Sequence, residues 1–158
     1  MNRRSFSRPA LWLAALLLGP ALAGAADSDQ PSIQATGSSV TYFRAENVAK
    51  SFAQGAVLFD RGANYMIHTS RRIAPGMAEV HAKDTDLIYV VEGSATFVTG
   101  GSVVAGTTSA PDEIRGSSID GGETRALAKG DVIVVPAGTP HWFKAVRGPL
   151  LYYTIKVR

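Results

Sequence analysis

From Val40 to the C-terminus the chain is a succession of short β-type runs, each broken by Gly, Pro or Asp. The runs are "VTYFRA", "GAVLFD", "NYMIHTS", "AEVHAK", "LIYVVEG", "SATFVTG", "ETRAL", "DVIVVPAG", "HWFKAV" and "LLYYTIKV", ten in about 120 residues. Runs of this length, rich in β-branched and aromatic residues and bounded by turn residues, read as strands, in which every second side chain lies on one face. A domain made of many short strands must dispose of its unpaired edges, and curling the sheet on itself does so. The expectation is therefore an all-β barrel or sandwich over residues 41–158, with "RAENVAKSFAQ" as the one helical stretch. Residues 99–122 carry six glycines and little apolar alternation, and read as a long mobile excursion, either a lid or a solvated hairpin. A total of 158 residues suits a single domain.

The first 25 residues are of a different texture. Arg3, Arg4 and Arg8 precede an apolar run from Ala10 to Ala23, broken by Gly19-Pro20, with A-x-A sites at Ala21–Ala23 and Ala23–Ala25. This is the make-up of a cleaved export signal over residues 1–25, followed by a small, polar, flexible mature N-terminus over 26–40. A stable membrane span needs roughly 20 apolar residues, more than this segment has. "NRRSFSR" resembles a twin-arginine signal, the route that carries folded proteins, and periplasmic or secreted localisation follows. Removal of the segment also changes the charge. Three of the sixteen basic residues lie in it, which leaves thirteen basic against thirteen acidic residues and no basic patch to argue for nucleic acid. With no cysteine, the exported domain has neither disulfides nor thiolate chemistry.

Four residues stand out against the strand pattern. In "AEVHAK", Glu79 and His81 are two apart and project from one face, while Val80 points the other way. Asp86 opens the next run just after the turn "KDT", and His141 begins a strand after the turn Pro136-Ala137-Gly138. Two imidazoles and two carboxylates make a mixed nitrogen and oxygen donor set without sulfur. Asp86 has the alternative of capping a turn, and Glu79 that of an exposed carboxylate. His68, in "YMIHTSRR", suits a hydrogen-bonding role, with acid or base work in a pocket as the alternative. Phe143 shares the face of His141 and Trp142 points away from it, whereas Tyr89, Tyr152 and Tyr153 depend on a register the sequence does not fix.

The residues around these four resemble the cupin superfamily, in its small single-domain, cupin_2-like form. Its first motif, G-x5-H-x-H-x(3 or 4)-E-x6-G, is similar to residues 79–93, with Glu79 and His81 in the histidine places, Asp86 in the glutamate place and Gly93 at the end. Its leading glycine has no counterpart in register. The second motif, G-x5-P-x-G-x2-H-x3-N, is matched by Gly130, Pro136, Gly138 and His141, and departs only at Ala145.

The resemblance covers about residues 50–157. It implies a jelly-roll β-barrel with one divalent metal ion held by Glu79, His81, Asp86 and His141. Mn(II) or Fe(II) suits that donor set, with Ni(II), Co(II) or Zn(II) as alternatives. It also implies a homodimer. G-x-S-x-G and HExxH motifs are both missing from the sequence. Three readings follow: a metal-dependent enzyme of oxygenase, isomerase or decarboxylase type acting on a small organic molecule; a non-catalytic module binding a metal, sugar or small ligand; and a barrel that has lost its ion.

Overall fold

The computed structural model describes residues 40–60 and 64–158. The export-signal segment 1–25 and all of the N-terminal stretch 26–40 but Val40 lie outside the described residues. Helix α1 (Ala45–Gln54) fulfils the helical expectation for "RAENVAKSFAQ" and ends at Gly55 in the left-handed conformation. The stretch "VTYFRA" before it, expected as a strand, leads into the helix instead. Strand β1 (Val57–Phe59) pairs with β2 (Tyr65–Arg72). There follow β3 (Ala78–His81), β4 (Thr85–Thr99), β5 (Ser102–Val104), β6 (Thr107–Ala110), β7 (Glu113–Gly116) and β8 (Ser118–Asp120). The chain closes with β9 (Glu123–Ala128), β10 (Val132–Val135) and β11 (His141–Val157).

Four of the expected runs merge into two long strands. "LIYVVEG" and "SATFVTG" become the 15-residue β4, and "HWFKAV" and "LLYYTIKV" the 17-residue β11. These two pair antiparallel along their whole lengths, from His141 opposite Thr99 to Val157 opposite Thr85. The pairing is interrupted midway, where Arg147 faces Ser94 but Leu151 already faces Glu92. Gly93 occupies that crossing at φ +80, where an added Cβ would lie 2.4 Å from the carbonyl oxygen of Pro149. Only glycine permits the two backbones to approach so closely. The bulge also reverses which side chains point inward. On β4 the buried residues are Asp86, Ile88 and Val90 before it and Ala95 and Phe97 after it, with Val98 buried in the smaller cluster; on β11 they are His141 and Phe143 before it and Leu150, Tyr152 and Thr154 after it.

The two long strands organise the remainder. β4 pairs on its other side with β9 and β10, and β11 pairs with β2 and with β3. β3 continues through β7 to β6. Residues 40–158 thus form one compact unit, a mostly-β, jelly-roll-like fold whose main sheet curls into a half-barrel. Its core is Ile88, Val90, Phe97, Leu127, Val135, Phe143, Leu150 and Tyr152, with a smaller cluster of Ala78, Val98 and Ile119. Helix α1 packs on the outer side through Phe52, edge-on to Tyr153 at 4.9 Å, and through Ser51, hydrogen-bonded to Thr69.

Residues 99–122 are not the irregular excursion expected. They contain β5 to β8, with β5 paired to β8 and β7 added to β3. These strands are only three or four residues long, and Val103 and Ile119 are the apolar residues they turn inward, too few for a periodic signal. Gly116 is needed because an added Cβ would lie 2.4 Å from the carbonyl oxygen of Val104.

Candidate metal centre

β3 brings Glu79 and His81 to one face of the sheet, and β4 brings Asp86. Delivery of His141 depends on the turn between β10 and β11. Val135, the last residue of β10, lies opposite Asp86, and the N–H of Gly138 in the turn donates to the His81 carbonyl at 2.8 Å. The turn therefore bridges the two strands that carry the other three residues, and β11 starts with His141 opposite Glu79. Gly138 is at φ +77, in keeping with its place in the sequence motif.

The four side chains converge. His81 Nε2 is 3.7 Å from Glu79 Oε2 and 3.6 Å from Asp86 Oδ2. His141 Nε2 is 4.0 Å from Glu79 Oε2 and 3.8 Å from Asp86 Oδ2. These separations are too long for hydrogen bonds. They exceed by less than about 1 Å the roughly 3 Å between neighbouring ligands of an ion with bonds near 2.1 Å. Glu79, His81 and His141 form a group whose donor atoms all lie within 4.8 Å of one another. Asp86 stands beside that group. The donor set therefore fits a divalent ion, with the three-residue group as its candidate site.

Each carboxylate is divided between two tasks. Asp86 accepts a hydrogen bond from Lys156 Nζ at 2.7 Å with Oδ1, and turns Oδ2 to the imidazoles. Glu79 meets Arg115 Nη2 at 3.5 Å with Oε1, and turns Oε2 inward. Arg115 is itself held by Glu113 at 2.6 Å. The outer oxygens are thus fixed by cations and the inner ones are left facing the imidazoles, an arrangement that orients ligands before an ion arrives.

The imidazole of His141 is oriented in the same way. Its Nδ1–H donates to the carbonyl of Thr139 at 3.1 Å, so the lone pair of Nε2 faces Glu79 and Asp86. His141 is almost wholly buried, and burial pushes its pKa below the ordinary histidine value, against the raising influence of the Thr139 carbonyl and Asp86. The neutral ring that metal binding requires is therefore the favoured form.

The four residues border a cavity of about 400 Å³. Its floor is built by residues of like parity on three strands, among them His68 on β2, Asp86 and Ile88 on β4, and Thr154 and Lys156 on β11. His68 is thus a cavity residue, with Nε2 2.8 Å from Met66 Sδ and a pKa lowered by burial and then by Lys156. Phe143 and Tyr152 also line the cavity. Tyr89 is exposed, Tyr153 lies under α1, and Trp142 turns away to donate its indole N–H to the Gly76 carbonyl at 2.8 Å. Sequence reasoning missed Arg72, Glu113, Arg115 and Lys156. The parity of Tyr152, Thr154 and Lys156 was the one available signal for the last of these.

A family model described as "Cupin" matches residues 24–156. Among curated proteins, none matches the chain. Solved structures with a similar fold include a Neisseria meningitidis protein, 14% identical, covering 71% of this chain and 97% of that one with a TM-score of 0.48. A hydroquinone 1,2-dioxygenase from a Sphingomonas species is 14% identical and covers 62% of each chain, with a TM-score of 0.47. A putative mannose-6-phosphate isomerase from Ralstonia eutropha is 20% identical, covering 64% of this chain and 80% of that one, with a TM-score of 0.45. Among the described residues, no helix is long and apolar enough to cross a membrane.

Proposed function

We propose that this chain, which belongs to the cupin family, is an exported metal-dependent enzyme acting on a small organic molecule in the cavity beside Glu79, His81 and His141. The reading extends to one Mn(II) or Fe(II) ion, with Asp86 as a fourth ligand, and to chemistry of the oxygenase, isomerase or decarboxylase type. It also takes residues 1–25 as a cleaved export signal, the sheet as closing into a barrel, and the working unit as a homodimer.

One observation supports the metal reading above all others. Two imidazole Nε2 atoms and two carboxylate oxygens face one another at 3.6 to 4.0 Å with no hydrogen bond among them, while the outer carboxylate oxygens are engaged by Arg115 and Lys156. Close, unbonded donors are costly to leave facing one another unless a cation joins them. A divalent ion there would polarise substrate oxygens and stabilise negative charge as it develops. The chain's own contribution is to keep His141 neutral through burial and to set its tautomer through Thr139. Glu79 and Asp86 supply negative charge to the centre, and Phe143 and Tyr152 give the cavity an aromatic wall.

The test is metal analysis of untagged protein, followed by calorimetric titration with Mn(II) and anaerobic titration with Fe(II). About one equivalent should bind, and Glu79→Ala and His141→Ala should each abolish that binding. Turnover of a panel of small phenols, diketones and carboxylic acids then separates an enzyme from a binding module. A protein that binds the ion but turns over none of them would be the non-catalytic module.

A further inference from the structure

Three cations line the cavity, and they are not equivalent. Lys156 is paired with Asp86, and Arg115 with Glu113 and Glu79. Arg72, the last residue of β2, is paired among the described residues with no carboxylate. Its polar contacts are two long ones, from Nε and Nη2 to the Tyr152 hydroxyl, each at 3.4 Å.

The guanidinium is nevertheless held in place. Its Cζ stands 5.0 Å from the centre of the Phe143 ring. Gly76 is adjacent to its other groups: a Cβ added there would lie 2.4 Å from Nη1 and 3.0 Å from Cζ. Gly76 is itself fastened to β11 by its N–H to the Phe143 carbonyl at 3.0 Å and by its carbonyl to the Trp142 indole. The fold thus spends a glycine, an aromatic face and a tyrosine hydroxyl on positioning a half-buried positive charge, and gives that charge no counter-ion. An Arg in such a slot loses hydration without gaining an ion pair, a cost that an incoming anion removes. The planar fork suits a carboxylate, which it can meet with two parallel hydrogen bonds.

We infer that Arg72, assisted by Tyr152, is the carboxylate-recognising group of the cavity, and that the molecule handled there is a small organic acid with its carboxylate at Arg72. The inference rests on the metal-centre reading for where the acid's other end lies. Phe143, over which the guanidinium sits, is one same-face step from His141 along β11, roughly 7 Å. Straight-chain dicarboxylic acids of graded length, from succinate to adipate, therefore probe the separation between the two ends.

The test is calorimetric titration of the Mn(II)-loaded protein with succinate, glutarate and adipate, and with their monoamides. The wild-type protein should bind at least one of these acids. Arg72→Met should weaken that acid by at least about tenfold and leave the Mn(II) affinity unchanged. Arg72→Lys should recover part of the loss, since an ammonium supplies charge without the fork. Gly76→Ala keeps the charge but displaces the guanidinium, and should weaken the acid with no effect on Mn(II).

The inference is overturned if the wild-type protein binds none of the acids. It is also overturned if folded Arg72→Met binds them within about twofold of wild type. Should the wild-type protein take up no Mn(II), the proposed function fails by itself. The same acids titrated into unloaded wild-type and Arg72→Met proteins then decide the role of Arg72 by the same two outcomes.

Discussion

Replacing Lys156 with methionine should move stability and metal affinity in opposite directions. Lys156 Nζ lies 2.7 Å from Asp86 Oδ1, with side-chain exposures of 18% and 5%. At an effective dielectric constant near 20 the attraction at that distance is about 6 kcal/mol, of which desolvation of both groups takes back a large part. Removal of one partner from a buried pair costs about 3–5 kcal/mol, and the partial access of water to Lys156 favours the lower end, about 3 kcal/mol. For a unit of this size that is a fall in Tm of about 12 °C in the presence of a chelator. Methionine keeps the length and apolar body of the side chain, so the loss reports the charge.

The affinity for Mn(II) should rise, because the variant removes a positive charge beside the ion and frees the second oxygen of Asp86. Thermal melts in a chelator and calorimetric titration with Mn(II) give the two readouts, with Lys156→Arg as the control that retains both. Asp86 would have no part in cation binding if the variant bound Mn(II) no tighter than wild type. A loss of stability below about 1 kcal/mol, the level of an exposed pair, would show that the ion pair is not a buried structural one.

Arg115→Met should instead weaken Mn(II) binding by about tenfold in the same titration: Arg115 is 43% exposed, so water screens its charge, and the lost support of Glu79, a member of the three-residue group, outweighs the charge removed. Its stability should change by less than about 1 kcal/mol, because Arg115 is substantially exposed. Since burial holds the pKa of His141 low, the unfolded chain takes up a proton there at a higher pH than the folded one does. In metal-free protein the resulting loss of stability should be absent above about pH 6.5 and should grow as the pH falls towards the lower folded value. Melts across that range should show a flatter profile for His141→Gln than for wild type. Gly93→Ala should cost at least about 2 kcal/mol in chemical denaturation, since it combines a left-handed φ with a backbone clash at Pro149.

The convergence of Glu79, His81, Asp86 and His141 was legible because it rests on local rules. Period two puts Glu79 and His81 together, a short turn brings Asp86 alongside, and glycine at 138 lets the chain turn before His141. The positions of Arg72, Arg115 and Lys156 were not legible, because strand pairing across long sequence separations sets them. Lys156 meets Asp86 through the register of β11 on β4, and Arg115 meets Glu79 through that of β7 on β3. Residues 99–122 were misread for a related reason: "TTSA" has no apolar face and "SVV" and "SID" are only three residues long, so their strand character comes from the strands they pair with. The reading of two strands each in 87–100 and 141–157 treated Gly93 and Gly148 as breaks. Gly93 instead lets β4 bend beneath β11 without interruption, and the accompanying change of inward parity lies beyond any simple alternation rule.

The central claim is that Glu79, His81 and His141 hold one divalent ion. It is tested most directly by metal content and Mn(II) titration of the untagged protein beside a Glu79→Ala, His141→Ala double variant that retains the wild-type circular dichroism spectrum. The account predicts about one equivalent in the wild-type protein and none in the variant. A wild-type protein without affinity for Mn(II), Fe(II) or the other divalent ions, or a variant that binds Mn(II) as well as wild type does, would contradict it.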